Sequence, residues 1–471
     1  MDSYSPKSAR IIFPQPSLTH LSLFSLHPSQ RSSLIWVPSP FPLFVFSFIP
    51  ENLLNIFFLI ALELAPLYNL RAHNVANSTQ FLKETLCGAA DCDEFVRKLL
   101  SILNKSLKDP SKQKVTLGIL RSDYMLHQEG GEEKLQQVEL NHISCSFSSL
   151  SPLVSQMHRQ VVKKLGLGEY SLEQMPENTS HVDVPEALFC AWEQYGDERA
   201  VVLFVVQEGE KNRADQRKIE YALSQHGVGV VRKTMAEVHK EGKLVGENRH
   251  LEISGKIVAV AYFRAGYTPR DYPSESEWEA RELIEKSFAI KCPSISYQLG
   301  GLKKVQQKLA ETGVLERFVE SSVASRLRMS FASLHSLSEI SEDVSRVIQQ
   351  AIDRPHDFVL KPQREGGGNN FYGQEMVDKL KSIGPEERKS FILMSLIKPR
   401  PFNAHLLKEG KYTVRASTSE LGIFSVLLMD GDKQLINKSA GYLFRTKPIE
   451  VNESGIAAGF GHLDSPYLVD N

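Results

Sequence analysis

Apolar and polar positions alternate in several distinct ways along the chain. Residues 41–66, FPLFVFSFIPENLLNIFFLIALELAP, are almost wholly apolar but are broken at Pro50-Glu51-Asn52. Neither half reaches the roughly 18–20 apolar residues that span a bilayer. From residue 77 to 107 the apolar positions recur on one helical face. KVTLGILR (114–121) and QQVELNHISCSF (136–147) alternate with period two and predict strands, and Ser144 and Ser146 continue the second of these beyond Asn141. PLVSQMHRQVVKKLG (152–166) and PEALFCAWEQYG (185–196) predict helices.

The run AVVLFVVQ (200–207) is apolar without interruption, as in a parallel strand buried on both faces. Helix DQRKIEYALSQHG, strand VGVVRK and strand IVAVAYFRAGY (257–267) follow it. This rhythm predicts a parallel α/β subdomain over 200–300 with ligands at the strand C-termini. Next come helix KKVQQKLAE, a helical stretch to about 353, strand FVLK and helix EMVDKLKSI. FILMSLI, KYTVRAST, LGIFSVLL and GYLFRTK predict one antiparallel sheet.

The 471 residues suffice for two or three domains. A formal charge of −1 argues against a general nucleic-acid binder and a polybasic membrane protein. The five cysteines are odd in number and lack a CxxC pair, so neither a disulfide framework nor a zinc site is indicated and a reducing compartment fits. Residues 1 to about 50 are rich in Ser, Pro and Phe, with Asp2 the one acid before Glu51. Such a leader reads as a transit peptide, a membrane or signal segment, or a non-native extension. With ordinary soluble periodicity starting near Glu63, a chain beginning there is expected to be the more soluble one.

Between FVLK and EMVDKLKSI lies KPQREGGGNNFYG. Gly366, Gly367 and Gly368 are bare backbone that either cradles a phosphate or forms a flexible hairpin. Lys361 and Arg364 add positive charge, and Glu365 is a candidate metal ligand. Neither GxxxxGK[ST] nor GxGxxG is present. Glu139 and Asn141 share a strand face, and two oxygen donors there suit Mg²⁺ or else face solvent. Lys303, Lys361 and Lys447 lie near element ends. Arg121, Arg264 and Arg445 each follow an apolar strand, where a guanidinium clamps carboxylate or phosphate.

RSDYM (121–125), ELNHIS (139–144), YFRAGY (262–267), KCPSIS (291–296), KKVQQ (303–307), KPQREGGGNN (361–370), SELGIF (419–424), LFRTK (443–447) and GIAAGFG (455–461) occur in the order seen in eukaryotic glutathione synthetases. From about residue 63 onward the chain resembles that ATP-grasp ligase family. The resemblance implies an α/β (α+β) ATP-grasp fold with an inserted parallel substrate-binding subdomain and a glycine-rich lid. Its divisions would be 1–62 as an atypical leader, 63–199 as the N-terminal part of the core, 200–300 as the substrate subdomain and 301–471 as the ATP-grasp domain. It also implies ATP-dependent ligation of γ-glutamylcysteine to glycine through an acylphosphate, in a homodimer without nucleic acid or membrane, in the cytoplasm or a plastid.

By the same resemblance Glu139, Asn141 and Glu365 would hold Mg²⁺. ATP would contact Lys303, Lys361, Gln363, Gly366 to Gly368, Asn369, Asn370 and Tyr372, and also Met394, Ser395, Leu396, Ile397, Glu420, Lys447 and Glu453. The substrates would contact Arg121, Ser144, Cys145, Ser146, Glu210, Lys211, Asn212, Gln216, Arg264, Ala265, Gly266, Tyr267 and Arg445. Ile456, Ala457 and Ala458 would meet the incoming amino acid, and Arg121, Lys361 and Arg445 would act in the chemistry. Homoglutathione synthetases carry bulkier residues, commonly Leu-Pro, where this chain has Ala457-Ala458, so glycine is the expected acceptor and β-alanine the alternative. The chain departs from the family pattern at its N-terminus, at Ser395, at Ser148 and Ser149, and at Leu302. A non-catalytic nucleotide-binding homologue is the alternative those departures leave open.

Overall fold

The computed structural model describes residues 46–47, 51–168, 170–364, 368–456 and 459–470. Its largest sheet has seven strands in the order Phe402–Lys408, Phe46–Ser47, His462–Asp464, Lys433–Pro448, Lys411–Asp430, Val115–Glu129 and Glu132–Asn141. KYTVRAST and LGIFSVLL form one 20-residue strand. Its first part pairs with Phe402–Lys408, and its remainder lies between Lys433–Pro448 and Val115–Glu129. Five strands thereby form a ring of pairings, and Phe46–Ser47 is the piece that closes it.

The apolar segment near the N-terminus belongs to this globule. Glu51–Leu54 runs parallel to Pro466–Val469. Helix Asn55–Asn77 follows, so the boundary expected at Glu63 falls inside it. Leu53, Phe58, Ala61, Leu64 and Tyr68 are buried in the main core. The density of apolar residues that fitted no periodic pattern is thus that of a strand and helix packed into the interior. Truncation at Glu63 would remove part of this core, so the structure favours the opposite outcome to the better solubility expected from the sequence. Residues 1–45 and 48–50 lie outside the described residues.

Two further sheets complete the architecture. Val230–Lys233, Val201–Val205, Lys256–Phe263 and Ile290–Cys292 run parallel, with a small antiparallel extension through His250–Ile253 and Lys243–Val245. All five residues of Val201–Val205 are buried, as its uninterrupted apolar run requires. Leu334–Ser336, Phe391–Ser395, Phe358–Pro362 and Phe371–Tyr372 make a separate four-stranded sheet. FILMSLI therefore pairs here, not with the strands that follow it. Its core, including Leu360, Leu393, Met376 and Leu380, is separate from the main one. The stretch expected to be helical up to residue 353 is interrupted by Leu334–Ser336, the edge strand of this sheet.

A buried polar knot ties the two chain ends together. Asp464 accepts from Thr446 Oγ1 (2.5 Å) and from the Ser465 backbone N–H (2.7 Å). His158 bonds the Ser465 hydroxyl (2.7 Å) through Nδ1 and the Ser47 carbonyl (2.8 Å) through Nε2. Burial raises the Asp464 carboxyl to about 7, and burial and Asp464 together raise Glu51. Burial lowers His158 to about 4.

Two outcomes are expected. A chain starting at Glu63 loses the ring closure and the burial of Leu53, Phe58 and Ala61. Its cost is on the order of several kcal/mol, read as a lower melting temperature and loss of soluble protein. Because the folded carboxyls hold their protons more tightly than the unfolded chain does, their contribution is full below about pH 4 and lost as pH rises through about 7. Burial of neutral His158 works the other way below about pH 6.5, so the Asp464 contribution is read as a difference. The stability of the wild type relative to Asp464→Asn should fall between pH 5 and 8 in thermal melts, and a constant difference would remove the knot from the explanation.

Candidate functional site

Adjacent strands of the large sheet bring a row of charged side chains to one face. Arg121 and Asp123 are two apart on Val115–Glu129, opposite Asn141 and Glu139 respectively. On the other side Glu420 lies opposite Arg445, and Thr418 opposite Lys447. Asp123 is fully buried at the centre. It takes two bonds from Arg121, Nε to Oδ1 at 2.6 Å and Nη2 to Oδ2 at 2.8 Å. Asn141 Nδ2 (2.9 Å) and Arg445 Nη2 (3.1 Å) also reach Oδ2. Arg445 further donates to Glu420, whose second oxygen accepts from Ser454 Oγ at 2.7 Å. Gly422 lies beneath this cluster. A Cβ there would stand 2.6 Å from Asp123 Oδ1 and 2.9 Å from Arg121 Cδ, so only glycine leaves room for the pair.

Three buried lysines border the row. Lys303, first in helix Lys303–Ala310, sits 3.2 Å from Glu139 and donates to the Arg364 carbonyl at 2.7 Å. Lys361 donates to the Val138 carbonyl at 3.1 Å. Lys447 donates to the Val451 carbonyl at 2.5 Å. Burial pulls the Lys361 and Lys447 ammonium groups down, opposed by Glu139 for the first and Glu420 for the second. Burial works to raise Glu139, but Lys303 and Lys361 outweigh it and hold the carboxyl down at about 2. Burial raises Glu420 against the pull of Arg445.

Between this face and the four-stranded sheet lies a narrow cleft with about 20 Å³ of open volume. Val138, Phe331, Ala332, Leu334, Ile392 and Met394 supply its apolar wall, and Lys303 and Lys361 supply charge. An apolar slot with cations at its border matches a flat base carrying a polyphosphate. Ser395 and Leu396 have their backbone N–H groups committed to the carbonyls of Ser333 and Asp357, at 2.9 and 2.7 Å. Ile397 is buried.

The glycine loop is described only at its ends. Glu365, Gly366 and Gly367 lie outside the described residues. Gln363 is fully buried and caps the Lys303 helix by accepting from the Lys304 N–H at 2.9 Å. Arg364 is anchored to Asp93 at 2.5 Å. At the far end, Glu453 accepts from the Gly368 N–H and from Asn370 Nδ2 (2.9 Å), and Asn370 Nδ2 also reaches the Tyr372 hydroxyl (3.4 Å). Asn369 is half-buried. Ile456 is buried, and Ala457 and Ala458 lie outside the described residues.

A second cluster lies at the C-terminal ends of the parallel strands. The strand Glu132–Asn141 stops at Asn141, and Ser144 and Phe147 adopt positive φ of 54° and 73°. Ser144 and Ser146 are thus in a turn and not, as their alternation predicted, on the strand; Asp215 holds that turn by accepting from the N–H groups of Phe147, Ser149 and Leu150 at 2.8, 2.8 and 3.1 Å. Arg264 donates to the Cys145 carbonyl (2.8 Å) and the Ser146 hydroxyl (2.7 Å). Asp271 holds the next loop through the N–H groups of Gly266, Tyr267 and Thr268 at 3.0 to 3.1 Å; Ala265, just before it, is buried. Glu210 bonds the Asn212 N–H and Gln216 Nε2, both at 2.7 Å, while Lys211 is exposed.

The sequence reading missed Asp123, Asp215 and Asp271. Asp123 was legible as the residue two after Arg121 on a predicted strand, hence on the same face. Asp215 and Asp271 work through backbone N–H groups far away or in a loop, which periodicity does not reveal. Among the described residues no group of three Asp, Glu, His or Cys side chains could hold a metal. Glu139 and Asn141 still offer hard donors. Glu139 is held ionised, and Asn141, whose amide nitrogen is spent on Asp123, retains its oxygen. Mg²⁺ takes one or two protein oxygens and completes its shell with phosphate and water, so this pair fits it.

A charged sheet face and an apolar cleft against a second antiparallel sheet, with a parallel subdomain inserted, define the ATP-grasp class. The model of the eukaryotic glutathione synthase ATP-binding domain matches residues 24–468. A chloroplastic glutathione synthetase of Arabidopsis thaliana is 45% identical over 416 residues, covering 87% of this chain and 76% of its own. Glutathione synthetases of Dictyostelium discoideum (43%, covering 90% and 91%) and Homo sapiens (41%, covering 92% and 90%) are similar over nearly full length. The apo structure of a glutathione synthetase-like effector from Globodera pallida shares the fold, with a TM-score of 0.72 at 23% identity and 90% of each chain covered. The chain belongs to the eukaryotic glutathione synthase family.

Asp123→Ala should be the most damaging single change on this face. It leaves Arg121 buried without its anion, a loss of about 3–5 kcal/mol. A large fall in melting temperature is expected, and a fall of under a degree would show that Glu420 alone can neutralise both arginines.

Proposed function

We propose that this chain joins γ-glutamylcysteine to glycine, forming glutathione with conversion of ATP to ADP and phosphate. The observation that carries the reading is the cationic border of the apolar cleft, where Lys303 and Lys361 flank a carboxylate held ionised at Glu139. Phosphoryl transfer asks a protein chiefly for positioning and charge neutralisation.

The adenine occupies the wall of Val138 and Met394, with the Ser395 to Ile397 stretch at its edge. Lys303, Lys361 and Lys447 meet the phosphates, the loop of Gly366 to Asn370 covers them, and Glu453 lies at that loop's far end. Arg121 and Arg445, both fixed by Asp123, orient the cysteinyl carboxylate for phosphorylation by ATP. Arg264 with Ser144 to Ser146, and Glu210, Asn212 and Gln216, bind the dipeptide. The glycine amine then displaces phosphate from the acylphosphate, with the loop around Ala457-Ala458 excluding water. Glu139 and Asn141, joined by Glu365, would hold Mg²⁺, which when bound neutralises phosphate charge. The homodimer and a cytoplasmic or plastid location are part of this reading. Among the described residues no helix is long and apolar enough to cross a membrane.

The test is ADP release by the full chain with γ-glutamylcysteine and either acceptor. Glycine should support turnover and win an equal-concentration competition with β-alanine by about 10- to 200-fold, as one methylene typically allows. Glu139→Gln should abolish turnover while the chain still folds, with a melting temperature lowered because Lys303 and Lys361 lose their anion. Absence of dipeptide-dependent ADP release by the wild-type chain would overturn the assignment.

A further inference from the structure

Among the described residues, Arg71 is a buried cation with no anionic partner. It sits on helix Asn55–Asn77, 1% exposed, and lines the inner end of the cleft. Its Nε and Nη2 have no hydrogen-bond partner. The neighbours acting on it electrostatically are Tyr68 and Tyr124, and burial keeps both phenols neutral. Its guanidinium lies over the Tyr68 ring, 5.1 Å from the centroid.

The neighbouring Tyr124 hydroxyl and His142 Nε2 are also without hydrogen-bond partners among the described residues, but neither carries negative charge. The other polar groups are engaged elsewhere. Gln137 Nε2 bonds the Ser122 hydroxyl at 2.6 Å. Gln306 bonds the Leu140 backbone and the Gly301 carbonyl. Asp123 is taken by Arg121 and Arg445, and Glu139 by Lys303. The lining of the cleft carries three cations, Arg71, Lys303 and Lys361, and no carboxylate. An arginine does not shed its proton at ordinary pH, so its charge must be met by something else. Leaving a buried charge unpaired is among the costliest arrangements in a protein interior.

We propose that the inner end of this cleft binds a small monovalent inorganic anion, held by the Arg71 guanidinium against the apolar wall of Phe331, Ala332, Leu334 and Met394. The same wall sets the selectivity. It offers no hydrogen bonds to replace a tight hydration shell, so weakly hydrated bromide, nitrate and chloride are favoured over fluoride. A guanidinium, itself weakly hydrated, matches such ions. This inference stands without the nucleotide reading, since it rests on the apo cleft.

The test is thermal denaturation of the full chain at constant ionic strength, exchanging sodium gluconate for sodium bromide or sodium fluoride. Bromide should raise the midpoint by about 1–3 °C per tenfold increase in its concentration, and fluoride much less. Arg71→Met, which replaces the charge by an apolar side chain of similar length, should lose that rise. A wild-type chain indifferent to bromide overturns the proposal, and so does a rise that survives in Arg71→Met, which would place the anion on the lysines. Should Arg71→Met fail to fold, crystals of the wild type in bromide decide. An anomalous peak within hydrogen-bond distance of the Arg71 guanidinium supports the site, and its absence there rejects it.

Discussion

The carboxylate of Asp123 is the point on which the charged face rests. A single buried anion takes hydrogen bonds from Arg121, Arg445 and Asn141, drawn from three strands. Without it the two guanidiniums would repel across the sheet, in surroundings where charge is poorly screened. With it they are held at fixed positions. The cluster fits because Gly422, on the strand between them, gives up a side chain to make space. Sequence, packing and electrostatics meet at that position.

From this anion a run of bonds reaches the described ends of the glycine loop and the residues before Ala457. Arg445 passes from Asp123 to Glu420, Glu420 to Ser454, and Glu453 next in the chain to Gly368 and Asn370. On the other side Arg364, at the start of the glycine loop, is anchored to Asp93, which also caps the helix Glu94–Lys108 through the N–H groups of Phe95 and Val96. The loop is therefore gripped at both ends by carboxylates on different elements.

Much of this was legible in the sequence, for reasons that can be traced. The uninterrupted run of Val201–Val205 announced a strand covered on both sides, and Glu139 and Asn141 announced a shared face by their spacing. The family resemblance supplied candidate residues that the fold does gather, among them Arg121, Glu139, Lys303, Lys361 and Arg445. What escaped divides by how far away its partners lie. Asp215 accepts from backbone N–H groups far away in the chain, which no linear pattern marks, whereas Asp123 beside Arg121 and Asp271 three residues after Thr268 have near partners whose spacing was readable. Phe391–Ser395 reads as a strand, but its choice of sheet is settled by pairing with Phe358–Pro362, a long-range event.

The N-terminal segment shows how the same limitation can mislead. An apolar run without period normally reads as a targeting or membrane element, because a surface helix or edge strand would show a polar side. Here Glu51–Leu54 and the helix after it have little polar side to show. The strand pairs with the last strand of the chain, and the helix packs along the long strand Lys411–Asp430. That helix carries Arg71 into the interior in the same movement. An arginine so deep would be a liability in a purely structural helix, since its charge offsets much of what the apolar neighbours contribute. It lines the cleft between the two sheets instead. The helix that begins inside the expected leader and runs past its boundary at Glu63 therefore brings Arg71 to the cleft.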